Sequence, residues 1–262
     1  MLLSMGLSSF AYRTQAISAA QQQSLFDNRF LVIPRWLSAS DTEELRADTL
    51  AVHDAHGFDS HVGTLNKGTM QLNHDIRRSR QCNLYPPPSN AAGSVQTRAS
   101  LIKAVNNLRE ELQQSLTLNL PQLAPFQTEL NYLLYPSGGH YMRHLDVPGK
   151  DDGWQFVGRQ AHDGGSFNGC RTRRVVSFIL YLNENWDVAS GGELRVFPSG
   201  GDFEDVLPEG GTLVLLMSRD LEHLVRETRR ERQCVVGWFK EETHERTPDR
   251  DPFSLRSRDH WG

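Results

Sequence analysis

The sequence predicts an α+β fold dominated by β-structure, in which two helices lead into a sandwich or barrel of six or more strands. Three observations predict it. Downstream of Pro125 short β-rich runs alternate with turn signals. Upstream, two segments carry apolar residues at three- and four-residue spacing. The length of 262 residues suits one β-rich unit, because all-β domains reach about 250 residues.

Taken in order, the lead 1–27 reads as loosely ordered, with a weak organelle-targeting signal and no basic start for a secretory one. RFLVIP, from Arg29, reads as a strand that Pro34 limits. In SDTEELRADTLAVHDAHG, Ser40 and Glu43 form a capping box, Leu45, Thr49 and Val52 share a face, and Gly57 ends the helix. Residues 59–83 read as a hairpin or long mobile loop, and Pro86-Pro87-Pro88 as an extended breaker. SLIKAVNNLREELQQSL then carries Leu101, Val105, Leu108, Leu112 and Leu116 on one stripe. The strands follow as TELNYLLY, HYMRHLDV, RRVVSFILYLNE, GELRVF, GTLVLLMS and RQCVVGWFKE, with a charged tail over 242–262. The implied organisation is one domain over 28–241, with helical support over 38–117 and a β core over 127–241.

Composition narrows the function. With 28 Lys and Arg against 32 Asp and Glu, the formal charge of -4 lacks the basic excess of a nucleic-acid binder. Cys82, Cys170 and Cys234 lie far apart, which supports neither a disulfide framework nor a cysteine zinc site and suits a reducing, cytoplasmic or nuclear setting. No apolar run approaches the roughly 18 residues of a membrane span. A monomer is expected.

The chemistry gathers around His144-Leu145-Asp146 at a strand end. Side chains two apart on a strand point to one face, so an imidazole and a carboxylate converge on one ion. A third ligand must come from elsewhere, and His223, between two predicted strands, qualifies. Two histidines and one carboxylate leave coordination positions open, the facial triad of non-haem Fe(II) oxygenases. Nine residues on, Arg232 leads directly into Cys234-Val235-Val236-Gly237-Trp238-Phe239. Its planar fork suits the distal carboxylate of 2-oxoglutarate. Arg226, Arg229 and Arg230, in the same cationic run, read as solvated charges. Gly191 and Gly192 read as a tight turn with close backbone approach. His53, His56, His74, His140 and His162 have default surface or loop roles.

YPSGGHYMRHLDVP, FILYLNENWDVASGGELRVFP and LLMSRDLEHLVRETRRERQCVVGWF resemble, in that order over about 131–241, the iron- and 2-oxoglutarate-dependent prolyl 4-hydroxylases of the type that act on hypoxia-inducible factor. The resemblance implies a double-stranded β-helix, or distorted jelly roll, with supporting N-terminal helices. It implies Fe(II) on His144, Asp146 and His223, with 2-oxoglutarate and O₂ as co-substrates and ascorbate in support. It places 2-oxoglutarate on Arg232 with Tyr181 and Tyr135, the spacing from Tyr135 to His144 being one residue shorter here. Trp238 and Arg174 match positions near an entering prolyl substrate, and no catalytic residue is expected beyond the metal site. A protein or peptide containing Pro is the implied partner, hydroxylated at the 4-position, with oxygen sensing as the implied role.

The departure from that pattern is a long insertion over 147–173, a candidate lid, which leaves substrate identity open. A free amino acid or other small molecule on the same iron site, and a non-catalytic metal-binding interaction module, are the competing readings. Residues 59–83 favour a polypeptide substrate, because the resemblance places a substrate-covering finger there.

Overall fold

The computed structural model describes residues 12, 14–55, 57–58, 64–66, 69–71, 73–84, 92–125, 128–147, 151–159 and 168–243. Three helices, α1 (Ala19–Asn28), α2 (Ala39–Asp54) and α3 (Val95–Gln113), accompany thirteen strands among these residues. The strands are β1 (Phe30–Ile33), β2 (Thr64–Asn66), β3 (Thr69–Gln71), β4 (Arg80–Asn83), β5 (Glu129–Tyr135), β6 (Tyr141–His144) and β7 (Gln155–Arg159). They continue with β8 (Asn168–Tyr181), β9 (Leu194–Phe197), β10 (Glu204–Val206), β11 (Leu213–Met217), β12 (Glu222–Val225) and β13 (Arg232–Thr243).

The larger sheet runs β1-β11-β8-β13-β5-β4, with β7 added to β8, and the smaller runs β10-β9-β12-β6. These two antiparallel sheets form a β-dominated double-stranded β-helix. The strands β5 and β11 of the larger sheet are buried along nearly their whole length, on both faces, which explains their continuous apolar runs. On β11, Leu213 and Leu215 join the helix-side core while Val214 and Leu216 face the smaller sheet. Similarly, Val176, Phe178 and Leu180 of β8 point toward the helices, and Ile179 and Tyr181 point between the sheets. Leu45 and Val52 of α2 and Leu101, Val105, Leu108 and Leu112 of α3 complete the helix-side layer. Among the described residues, no helix is long and apolar enough to cross a membrane.

Several local expectations are corrected. The lead 1–27 contains α1, which Ser18 and Gln21 cap reciprocally; the S-x-x-Q spacing was the available signal. α2 is capped by Ser38, not Ser40: Ser38 Oγ accepts from the Asp41 N–H at 3.1 Å, and Ser40 Oγ instead bonds Ser38 Oγ at 3.0 Å. The helix starts earlier as a result. α3 begins at Val95 under a Ser94 cap and ends at Gln113, so Leu116 lies beyond it and is 96% exposed. The hairpin reading of 59–83 meets β2 paired with β3 and β4 paired with β5. Part of the insertion is β7, which forms a ladder with the first half of β8. The proline stretch and the tail beyond Thr243 lie outside the described residues.

Candidate metal centre

His223 was expected between strands; it sits on β12, paired across the ladder with His144 at the end of β6. A β-bulge lies between that pair and the Val225–Tyr141 pair. The bulge re-aims the strand, so that Tyr141 and His144 share the inner side despite their spacing of three. Their rings stack with centroids 3.6 Å apart. Asp146 follows β6 directly. Its Oδ1 lies 3.6 Å from His144 Nε2 and its Oδ2 3.8 Å from His223 Nε2. One ligand atom from each of the three residues lies within 4.8 Å of the others, the spacing of groups that can share one metal ion.

Backbone contacts set the chemistry of both imidazoles. His144 Nδ1 lies 2.8 Å from the Met142 carbonyl oxygen and His223 Nδ1 3.2 Å from that of Leu221. Each Nδ1–H therefore donates outward and leaves Nε2 as an inward lone pair, the tautomer a metal requires. Burial pushes the His223 pKa down, against the opposing pull of Asp146. For Asp146 burial opposes ionisation, but His223 and His144 outweigh it and hold the carboxyl well below its ordinary range. Ser177 Oγ donates to Asp146 Oδ2 at 2.6 Å and lies 2.8 Å from Ser218 Oγ. Two imidazole Nε2 atoms and a carboxylate on one face fit a divalent iron with open positions.

Arg232 lies deeper between the sheets and is 1% exposed. Burial opposes its charge, yet Cys234 and the phenols nearby keep it protonated, with its pKa raised. Its Cζ is 4.9 Å from the Tyr135 ring and 5.0 Å from the Tyr181 ring. The register explains this cluster: Arg232 pairs with Tyr135 on β5, and Cys234 pairs with Tyr181 on β8. Burial pushes the Tyr181 phenol up, so it stays a neutral donor. Arg232 Nε and Nη2 and the Tyr181 hydroxyl are buried with no hydrogen-bond partner among the described residues. Such groups are costly unless something accepts from them. A carboxylate satisfies all three, so the residues fit the far end of 2-oxoglutarate. Ser177, which touches Asp146, and Tyr181 lie on the same side of β8, roughly 13 Å of strand apart.

Trp238 and Arg174 also come together. The Arg174 guanidinium carbon is 3.7 Å from the centroid of the Trp238 ring, and Nη1 donates to the Asp146 carbonyl oxygen at 3.1 Å. Arg174 Nη2 donates to Glu129 at 2.6 Å, and Lys240 pairs with the same carboxylate. The three arginines of the cationic run are exposed, as solvated charges are, and each is also tethered. Arg226 reaches Glu193 and Asp205, Arg229 donates to the Ala189 carbonyl, and Arg230 donates to those of Glu184 and Asn185. His140 bridges the Gly138 and Asp75 carbonyls and His53 meets Arg80, while His56 and His162 lie outside the described residues.

Sequence reasoning missed Ser177, Ser218, Tyr141 and Cys234. Only alternation along β8 pointed to Ser177, a small polar residue inside an apolar run. Gly192, read as a turn residue, has φ +73°, and a Cβ there would meet Arg232 Cδ at 3.0 Å. The turn thus also makes room for the arginine.

Comparison with known proteins fits this geometry. Residues 130–240 match the 2OG-Fe(II) oxygenase superfamily. Egl nine homolog 1 of Rattus norvegicus is 31% identical over 117 residues, which cover 43% of this chain and 28% of that protein. The chain thus spans under a third of that curated relative. The crystal structure of a Pseudomonas putida prolyl-4-hydroxylase aligns with TM-score 0.63 and 27% identity, covering 85% of this chain and 98% of that one. A prolyl hydroxylase from Trichoplax adhaerens, solved with a hypoxia-inducible factor peptide fragment, shares the fold with TM-score 0.65 and 21% identity over 84% of this chain and 86% of that one.

Proposed function

With residues 130–240 as a 2OG-Fe(II) oxygenase domain, we propose that the protein is an Fe(II)- and 2-oxoglutarate-dependent dioxygenase that hydroxylates a prolyl residue of a protein substrate at the 4-position. His144, Asp146 and His223 hold the iron. When bound, the iron supplies O₂ activation coupled to oxidation of 2-oxoglutarate to succinate and CO₂, one oxygen atom going to succinate and the other to the substrate. Arg232 and Tyr181 bind the distal carboxylate of 2-oxoglutarate, with Tyr135 against the guanidinium. This orients the co-substrate's other end toward the metal. The burial of Arg232, Tyr181 and Tyr135 keeps water from the carboxylate, which strengthens each of those contacts. Trp238 and Arg174 line the substrate side, where Glu129, itself paired with Lys240, holds Arg174 in place. Oxygen sensing is part of the same proposal.

The observation that carries this reading is the buried Arg232, whose Nε and Nη2 have no partner among the described residues, beside Tyr135 and Tyr181 of the inter-sheet layer. The prolyl assignment draws on the Pseudomonas putida enzyme, whose match covers nearly all of that chain. The test is incubation with Fe(II), 2-oxoglutarate and Pro-containing peptides, read by mass spectrometry. Succinate and one added oxygen on proline are expected. No succinate with any peptide, together with no iron binding, overturns the proposal.

A further inference from the structure

Arg232 has a second neighbour whose part in the site is unassigned. Its Nη1 donates to Cys234 Sγ at 3.5 Å, in a place where both residues are 1% exposed. Nη1 is the terminal nitrogen on the Cδ side of the guanidinium. Engaging it leaves Nε–H and Nη2 side by side on the other edge, and these are the two nitrogens with no partner among the described residues. That edge matches both oxygens of one carboxylate. The faces of the Tyr135 and Tyr181 rings and the close approach at Gly192 restrain the guanidinium further. The sulfur is the polar atom that distinguishes one edge of the guanidinium from the other. Packing alone does not call for it, since position 234 faces an apolar layer with Leu133, Ile179 and Val236.

We propose that Cys234 is a positioning residue, which holds Nη1 so that Arg232 offers its Nε–Nη2 edge to a bidentate carboxylate. The inference rests on the co-substrate role of Arg232 proposed above. Burial pushes the thiol pKa up, so the sulfur stays a neutral partner of the cation.

The test is calorimetric binding of 2-oxoglutarate to the full chain loaded with Mn(II), which binds without turnover, for wild type and Cys234→Ser, Cys234→Ala and Cys234→Val. Valine fills the thiol's space without an acceptor, and serine restores one. Alanine and valine are expected to weaken 2-oxoglutarate about five- to tenfold, with serine within about twofold of wild type. Metal affinity stays unchanged in all three. In turnover with Fe(II), the KM for 2-oxoglutarate rises in the alanine and valine variants while kcat holds. Wild-type affinity in Cys234→Val, or equal weakening in serine and valine, overturns the positioning role and leaves the function intact. Wild type that binds metal but no 2-oxoglutarate overturns the function itself, and this inference with it.

Discussion

His223 faces His144 across the antiparallel ladder with ring centroids 4.3 Å apart, and each ring has its Nδ1 against the backbone carbonyl two residues earlier. The two imidazoles are thus fixed by backbone geometry on separate strands, and Asp146 closes the set. Replacing Asp146 or His223 by Ala is expected to weaken metal binding by about a hundredfold or more, beyond the range that outer partners of a ligand carry. Titration with Fe(II) under anaerobic conditions checks it; unchanged affinity rejects the residue as a ligand.

Ser177 holds the Asp146 carboxylate and is itself backed by Ser218. Ser177→Ala is expected to lower metal affinity about 10- to 100-fold while leaving the fold intact, the scale of lost ligand orientation. Metal titration alongside circular dichroism separates the two effects. A folded variant with wild-type affinity shows that Asp146 needs no such support.

Phe239 of β13 is fully buried on the helix side of the larger sheet, with its ring centroid 4.9 Å from that of Phe178. Phe239→Ala is expected to destabilise the protein by about 3–5 kcal/mol, the cost of a lost aromatic side chain and the cavity it leaves. Denaturant unfolding reads this. A loss below about 1 kcal/mol means that this layer is not the core described.

Burial opposes the ionisation of Glu129, but Arg174 and Lys240 together hold its pKa below the ordinary value. A carboxyl depressed in the folded state adds stability above its unfolded pKa of about 4.3 and loses it as pH falls below that. Glu129→Gln is therefore expected to be less stable than wild type at pH 7, with the gap narrowing as pH drops through about 4. Thermal unfolding across that range decides; a gap that widens in acid contradicts the pairing.

Much of the architecture was legible because its signals are periodic. β11 and β13 read as strands from continuous apolar runs, and Leu45, Thr49 and Val52 marked the buried face of α2. What escaped was short or nonlocal. β12 has four residues, EHLV, with two charged or titratable positions, so its strand character comes from flanking partners β6 and β9 rather than from its own pattern. The contact from Ser177 to Asp146 depends on which inward-facing positions meet in the folded sheets, whereas Cys234 and Arg232 sit two apart on one side of β13. The Ser177 contact spans 31 residues of sequence. The H-x-D spacing stood out by its metal-ligand chemistry, and Arg232 by leading directly into the apolar run that follows it. A serine or cysteine inside a strand carries no comparable mark.

Arg232 is the proposed seat of the co-substrate's distal carboxylate, and the most direct measurement is calorimetric 2-oxoglutarate affinity in metal-loaded Arg232→Lys beside Arg229→Lys. Lysine keeps the charge but replaces the planar fork with a point donor. The expected loss for Arg232→Lys is about 1.5–3 kcal/mol, or roughly tenfold or more in affinity, with metal binding through His144, Asp146 and His223 preserved. Arg229, whose Nη1 donates to the Ala189 carbonyl, belongs to the same cationic run but lies outside the seat. Its lysine variant should bind 2-oxoglutarate as wild type does. Equal effects of the two substitutions, or none from Arg232→Lys, would contradict the assignment.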